Sequence, residues 1–249
     1  MSRQTVSKHF AEFLLIVVGV LVALAVENWR ADQADLKLVD SYLVSLEVEL
    51  VRDTFLTRVY TNVSRERSRS LRLLLDDLAG AMDPLSPTDQ LLALHWAYND
   101  DSPLYVSSVL DELLVTGNAR LLEGSVLSEL QTVSDRFTIS ERVIAGLSFP
   151  LEARVPGLIP GHMRRALRES VRAEDRWILD TERLMHAADS LLGGGSTAEV
   201  ASLQSWKSVP DIRLLLEQQA YSSAAYTEEL ESNQVDLLTA LQVVSKSIH

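Results

Sequence analysis

Residues 13–26, FLLIVVGVLVALAV, are fourteen consecutive apolar or small residues without one polar side chain. Extended to Phe10 and Trp29, the stretch reaches about 20 residues. As an α-helix it would be about 30 Å long, the thickness of a bilayer's hydrocarbon core. Arg3 and Lys8 precede it, whereas Glu27, Arg30, Asp32 and Asp35 follow it. Cation in excess on the N-terminal side predicts a cytoplasmic N-terminus and an extracytoplasmic remainder. Trp29 stands where an interfacial aromatic is expected, its ring in the acyl boundary and its indole N–H in water.

Two other fates compete with a retained span. A secretory leader would also have a basic start and an apolar middle, and Ala23-Leu24-Ala25 resembles a cleavage site. Glu12, inside what would be the leader's apolar region, stands against it. A buried core helix would keep a polar face, and this segment has none for four turns. Glu12 falls in the first turn near headgroup depth, where the helix dipole favours an anion; deeper in the membrane it would mark a functional site. Gly19 and Ala23 form a small-xxx-small pair that would let a second membrane helix approach closely. The expected organisation is a short cytoplasmic N-terminus at 1–9, a transmembrane helix at 10–30 and an extracytoplasmic domain at 31–249.

That domain is expected to be all-α. Aromatic residues make up only 6% of the chain, no useful run alternates with period two, and no repeat of 20 to 50 residues recurs. From Val20 to Ala79 there is neither Gly nor Pro, so a long helix is expected over residues 39–78. A heptad frame through Val39, Leu43, Leu46, Leu50, Tyr60, Leu71, Leu74 and Leu78 is broken in the middle by Asp53, Thr57, Ser64 and Arg67. Such a break predicts a helix that packs at its two ends against different neighbours. Ser86-Pro87 opens a helix to about Tyr98, and Gly117-Asn118 supplies a left-handed stop after Thr116. A further helix runs from Gly124 to about Leu147. Pro150, Pro156, Gly157, Pro160 and Gly161 suggest a hinge at 150–161, two helices are expected within Met163–Leu192, and Gly193-Gly194-Gly195-Ser196 reads as a flexible linker. Asp211–Ile248 lacks Gly and Pro and is the natural antiparallel mate of 39–78. The whole is then a single transmembrane helix followed by an antiparallel helical bundle with long helices.

No signature of chemistry emerges. The five histidines, His9, His95, His162, His186 and His249, show no metal-ligand spacing, and His95 and His186 read as packing residues. There is no cysteine, nucleophile elbow or glycine-rich phosphate loop, so no catalytic, metal or cofactor residue is assigned and an enzyme is not expected. Glu228, Glu229 and Glu231 could hold a cation but read first as a solvated face. A net charge of −12 argues against nucleic acid as a partner. Two basic stripes remain, Arg65, Arg67, Arg69 and Arg72, and Arg165, Arg168, Arg172 and Arg176. They would meet an acidic partner or anionic headgroups, or pair within the chain's own 35 acids.

EFLLIVVGVLVALAVENWR, from Glu12, and SVLDELLVTGNARLLEGSVLSELQTVSDRF, from Ser108, together resemble a functionally uncharacterised bacterial family of single-pass proteins with an N-terminal anchor and a helical body. The resemblance implies that location and shape and carries no activity. It makes Glu112, Leu113, Gly117 and Leu121 structural, the last reinserting into the core. The expected partners are the bilayer and other membrane subunits or a second copy, through the anchor and the long helices. The expected role is a scaffold or accessory subunit of a larger inner-membrane complex with its body in the periplasm, for example a photosynthetic or respiratory one. The alternative is a tethered sensor with a pocket near 150–161.

Overall fold

A computed structural model of the chain describes residues 3–98, 108–153, 157–171 and 181–248. Among these residues the regular structure is entirely helical. The α-helices are α1 (Arg3–Ala79), α2 (Pro87–Tyr98), α3 (Ser108–Thr116), α4 (Gly124–Gly146), α5 (Gly161–Val171), α6 (Thr181–Gly194), α7 (Thr197–Gln204) and α8 (Ile212–Ile248). Short 3₁₀ turns stand at Asn118–Leu121, Pro150–Ala153 and Ser205–Ser208.

The helix expected from residue 39 has no break ahead of it. α1 is continuous from the apolar stretch into the body, 77 residues or about 115 Å. It stops where the first glycine after Gly19 allows. Gly80 takes φ +66°, its N–H reaches Asp77 O at 3.2 Å, and Ala81 N reaches Asp76 O at 2.9 Å, the paired bonds of a left-handed C-terminal cap. α2 starts as expected, with Ser86 Oγ accepting Asp89 N at 3.1 Å.

α8 lies along α1. Ser245 donates to Glu47, Thr227 and Ser223 meet Ser64, and Lys207, just ahead of α8, reaches Asp77. Numbers fall on one helix as they rise on the other, so the two run in opposite directions. The seam of α1 is buried or half-buried throughout, polar interruption included: Asp53, Thr57, Ser64 and Arg67 are all at most 3% exposed. On either side of this polar stretch lies an apolar cluster. One gathers Leu43, Leu46 and Leu50 with Leu113, Leu130 and Leu237; the other gathers Leu71 and Leu74 with Leu94, Leu167, Trp206 and Leu216. The different neighbours expected at the two ends are present, and α8 is common to both.

The polar stretch between the clusters is bonded across helices. Ser64 Oγ shares a 2.7 Å bond with Thr227 Oγ1, and Ser68 Oγ donates to Ser223 Oγ at 3.2 Å. Gln219, fully buried, donates to Ala97 O at 3.2 Å and accepts Leu151 N at 3.4 Å. Both ends of one amide thus tie α2 and the 150–153 turn to α8, avoiding the cost of an unsatisfied buried polar group.

Two connections have the following geometry. Gly193 and Gly194 belong to the last turn of α6, and Ser196 caps α7 by exchanging bonds with Glu199. Only Gly195 lies between, where an added Cβ would stand 3.1 Å from Leu191 O and 3.2 Å from Met163 Cε. The expected flexible linker is a tight corner, because the Ser-x-x-Glu box starts a new helix at once. In the 150–161 stretch, whose residues 154–156 lie outside the described ones, Leu151, Leu158 and Ile159 are buried in the distal cluster.

Candidate functional site

The anchor segment is the first candidate. Its apolar side chains from Leu14 to Val26 are exposed, and none of the most apolar stretch, of mean hydropathy 1.8, is buried by the rest of the chain. The core-helix alternative is therefore excluded: a core helix is covered by its own protein. Among the described residues one helix is long and apolar enough to cross a membrane. Gly19 has no atom within 4 Å of an added Cβ, Ala23 is exposed, and Trp29 is 62% exposed. The Glu12 side chain lies outside the described residues.

Beyond the apolar segment, α1 becomes covered from Leu38 onward and meets α3, α4 and α8. Here the stretch from Ser108 is fastened to α1. Tyr42 Oη donates to Glu112 Oε1 at 3.2 Å and accepts Asn118 Nδ2 at 3.1 Å, so one phenol bridges α3 and the turn after it. Gly117 holds φ +73°, the left-handed stop expected of it. Glu49 accepts Ser108 N at 2.7 Å, Ser108 Oγ at 3.0 Å and Val109 N at 3.2 Å. A carboxylate of α1 thereby caps α3, satisfying amides that have no helical partner and opposing the helix dipole. Leu113 is fully buried; Leu121 is only half-buried, and Leu122, 7% exposed, is the residue that re-enters the core. The 3₁₀ turn ends at Leu121, and it is the extended residue after it, Leu122, that turns inward.

The charged stripes separate on inspection. Arg65 pairs with Glu231 at 2.7 Å, Arg69 reaches Glu66 at 4.0 Å, Arg72 donates to Ser68 O, and Arg67 is buried with its guanidinium 5.3 Å from the Phe149 ring. Arg165 and Arg168 are exposed on α5, whereas Arg172 and Arg176 lie outside the described residues. Of the acidic run, Glu231 serves Arg65, and Glu229 accepts Ser140 Oγ at 2.9 Å beside Arg136 at 3.9 Å. Arg136 also bonds Ser232 and approaches Asp236. No group of three His, Asp or Glu side chains suited to a metal occurs among the described residues.

The histidines part company too. His95 is 5% exposed on α2, set edge-on to Trp96 at 5.5 Å. Burial and then the Arg168 charge lower its pKa from 6.5 to about 4. His186, expected to pack likewise, is exposed on α6: Leu184 and Ala188 take the inward positions of that helix. His162 lies 3.5 Å from Glu199 at the α7 corner. The sequence reading passed over Tyr42, Glu49 and Gln219. It also passed over α7, although Ser196-Thr-Ala-Glu199 spells its capping box.

Among the described residues these features define an all-helical fold with one helix long and apolar enough to cross a membrane and no group of three side chains suited to a metal. No family model, curated protein or solved structure matches the chain.

Proposed function

We propose that this protein is a membrane-anchored helical scaffold or accessory subunit, with α1 crossing the inner membrane and its body, an antiparallel bundle of long helices, held in the periplasm for contact with other proteins. The observation that carries the reading is the continuity of α1. One unbroken helix joins an uncovered apolar segment to the buried seam of the body. A severed leader has no need of such continuity, whereas a strut has: bending a helix at the membrane surface would break its backbone bonds. From residue 31 to Ala79 the strut rises about 70 Å. The excess of cation ahead of the span supports a cytoplasmic N-terminus.

Two measurements test this. The chain should stay in the membrane fraction through alkaline extraction and begin before Glu12; a soluble product starting near Val26 would refute the anchor. A reporter fused after His249 should be active outside the cytoplasm, and activity only inside would reverse the topology.

A further inference from the structure

Opposite its buried seam, α1 carries a second apolar line. Val44, Val48, Val51 and Phe55 are 50, 66, 52 and 43% exposed, spaced four, three and four residues apart. That spacing places them on one face with the heptad rhythm of a helix-helix seam. Arg58 closes the far end, its guanidinium 5.9 Å from the Phe55 ring. An uncovered apolar stripe on a rigid helix marks a contact surface.

We propose that this stripe is the interface between two copies of the chain, paired in parallel along α1. The proposal rests on the anchored reading above and names the partner. Lipid is ruled out by height: Val44 lies about 21 Å and Phe55 about 37 Å along the helix beyond Arg30, at the membrane surface. Two copies in one bilayer share a topology, so their α1 helices point the same way and a two-fold axis sets each stripe against itself.

Charge complementarity selects the same occupant. In a parallel pair, the residue just before an a position faces the residue five further along on the partner helix. With Val48 and Phe55 at a and Val44 and Val51 at d, those flanking residues are Glu47 and Arg52. Glu47 of each copy therefore faces Arg52 of the other, giving two opposite-charge pairs. Both residues stand ready at the edges of the stripe. The Arg52 side chain is 53% exposed and reaches its neighbour Asp53 at 3.2 Å, and Glu47 uses one oxygen to accept Ser245 Oγ at 2.6 Å. Toward the membrane the same face passes through Lys37 and Arg30. At 100° per residue, Val26 falls in line with Val44, and Gly19 lies about 20° away with no atom within 4 Å of an added Cβ. Gly19, the one small residue placed there, lets the two helices approach closely at that point.

The chain has no cysteine, so single cysteines can be placed at will. Val44→Cys, Val48→Cys, Val51→Cys and Phe55→Cys, each in the full chain in native membranes, should give disulfide-linked dimers on mild oxidation. Met185→Cys and Tyr221→Cys, at exposed positions on α6 and α8, should not. In the Val51→Cys background, Glu47→Arg or Arg52→Glu should lower the linked fraction roughly two- to tenfold, and the two together should restore it. Helix content by circular dichroism guards against misfolded variants. Membrane-bound chain that links at none of the four positions overturns the pairing. So does linkage only to a different protein, which would leave the scaffold reading standing. Release of unlinked chain by alkaline wash overturns the anchor and the parallel pairing with it.

Discussion

Acid should loosen the distal half of this protein through one residue, His95. In the folded chain its imidazole is 5% exposed beside Trp96, with its pKa lowered from 6.5 to about 4, by burial first and then by the Arg168 charge. The unfolded chain binds a proton near pH 6.5, while the folded chain stays neutral until about pH 4. Between these values the unfolded state holds more protons, so stability falls as pH falls. Above pH 6.5 the group contributes no slope. At pH 5 the loss is 2.303RT times about 1.5 pH units, or about 2 kcal/mol, and near pH 4 it approaches about 3 kcal/mol. His95→Phe keeps a planar ring and removes the proton site. Urea unfolding of the full chain in detergent, followed by the fluorescence of buried Trp96 and Trp206, measures both proteins at pH 7.5 and pH 5. The variant should gain about 2 kcal/mol relative to the parent over that interval. An equal stability difference at the two pH values would mean that His95 titrates normally and that its burial costs nothing. Asp53, in the other half, shifts the opposite way, since burial raises its pKa. Its part in stability grows as pH falls, and the paired comparison cancels it.

Three further perturbations address the packing. Gly117→Val should cost about 1–2 kcal/mol from the left-handed backbone alone, whereas Gly117→Asn should cost much less; equal losses in thermal unfolding would deny that φ is the cause. Glu49→Ala should destabilise by about 1–2 kcal/mol and speed hydrogen exchange at Ser108 and Val109, because three bonds to the start of α3 disappear together. Lys207→Met should cost about 3 kcal/mol by leaving Asp77, whose side chain is 1% exposed, without its 2.6 Å ammonium partner, while Lys207→Met with Asp77→Leu should recover most of that in urea unfolding.

The helical elements were legible because their signals are local. Gly80 and Gly117 end helices as lone residues tolerant of positive φ, and Ser86 starts one with a side chain that reaches three residues on. The apolar span needed only composition and length. Glycine count misled at 193–196, where three glycines suggested slack and the capping box beside them made a corner. His95 and His186 looked alike in sequence, yet the helix phase turned one into the distal cluster and the other out to water.

By itself, then, the sequence determined an all-helical fold, the positions of its stops and starts, and one segment long and apolar enough to cross a membrane. What the tertiary structure alone decided was the fate of the polar break in the α1 seam. Asp53, Thr57, Ser64 and Arg67 read as an interruption, and all four are buried. A heptad count sees only whether a side chain is apolar. Whether a hydroxyl can be buried depends on its bonding partner, and for Ser64 that partner is Thr227, 163 residues along the chain.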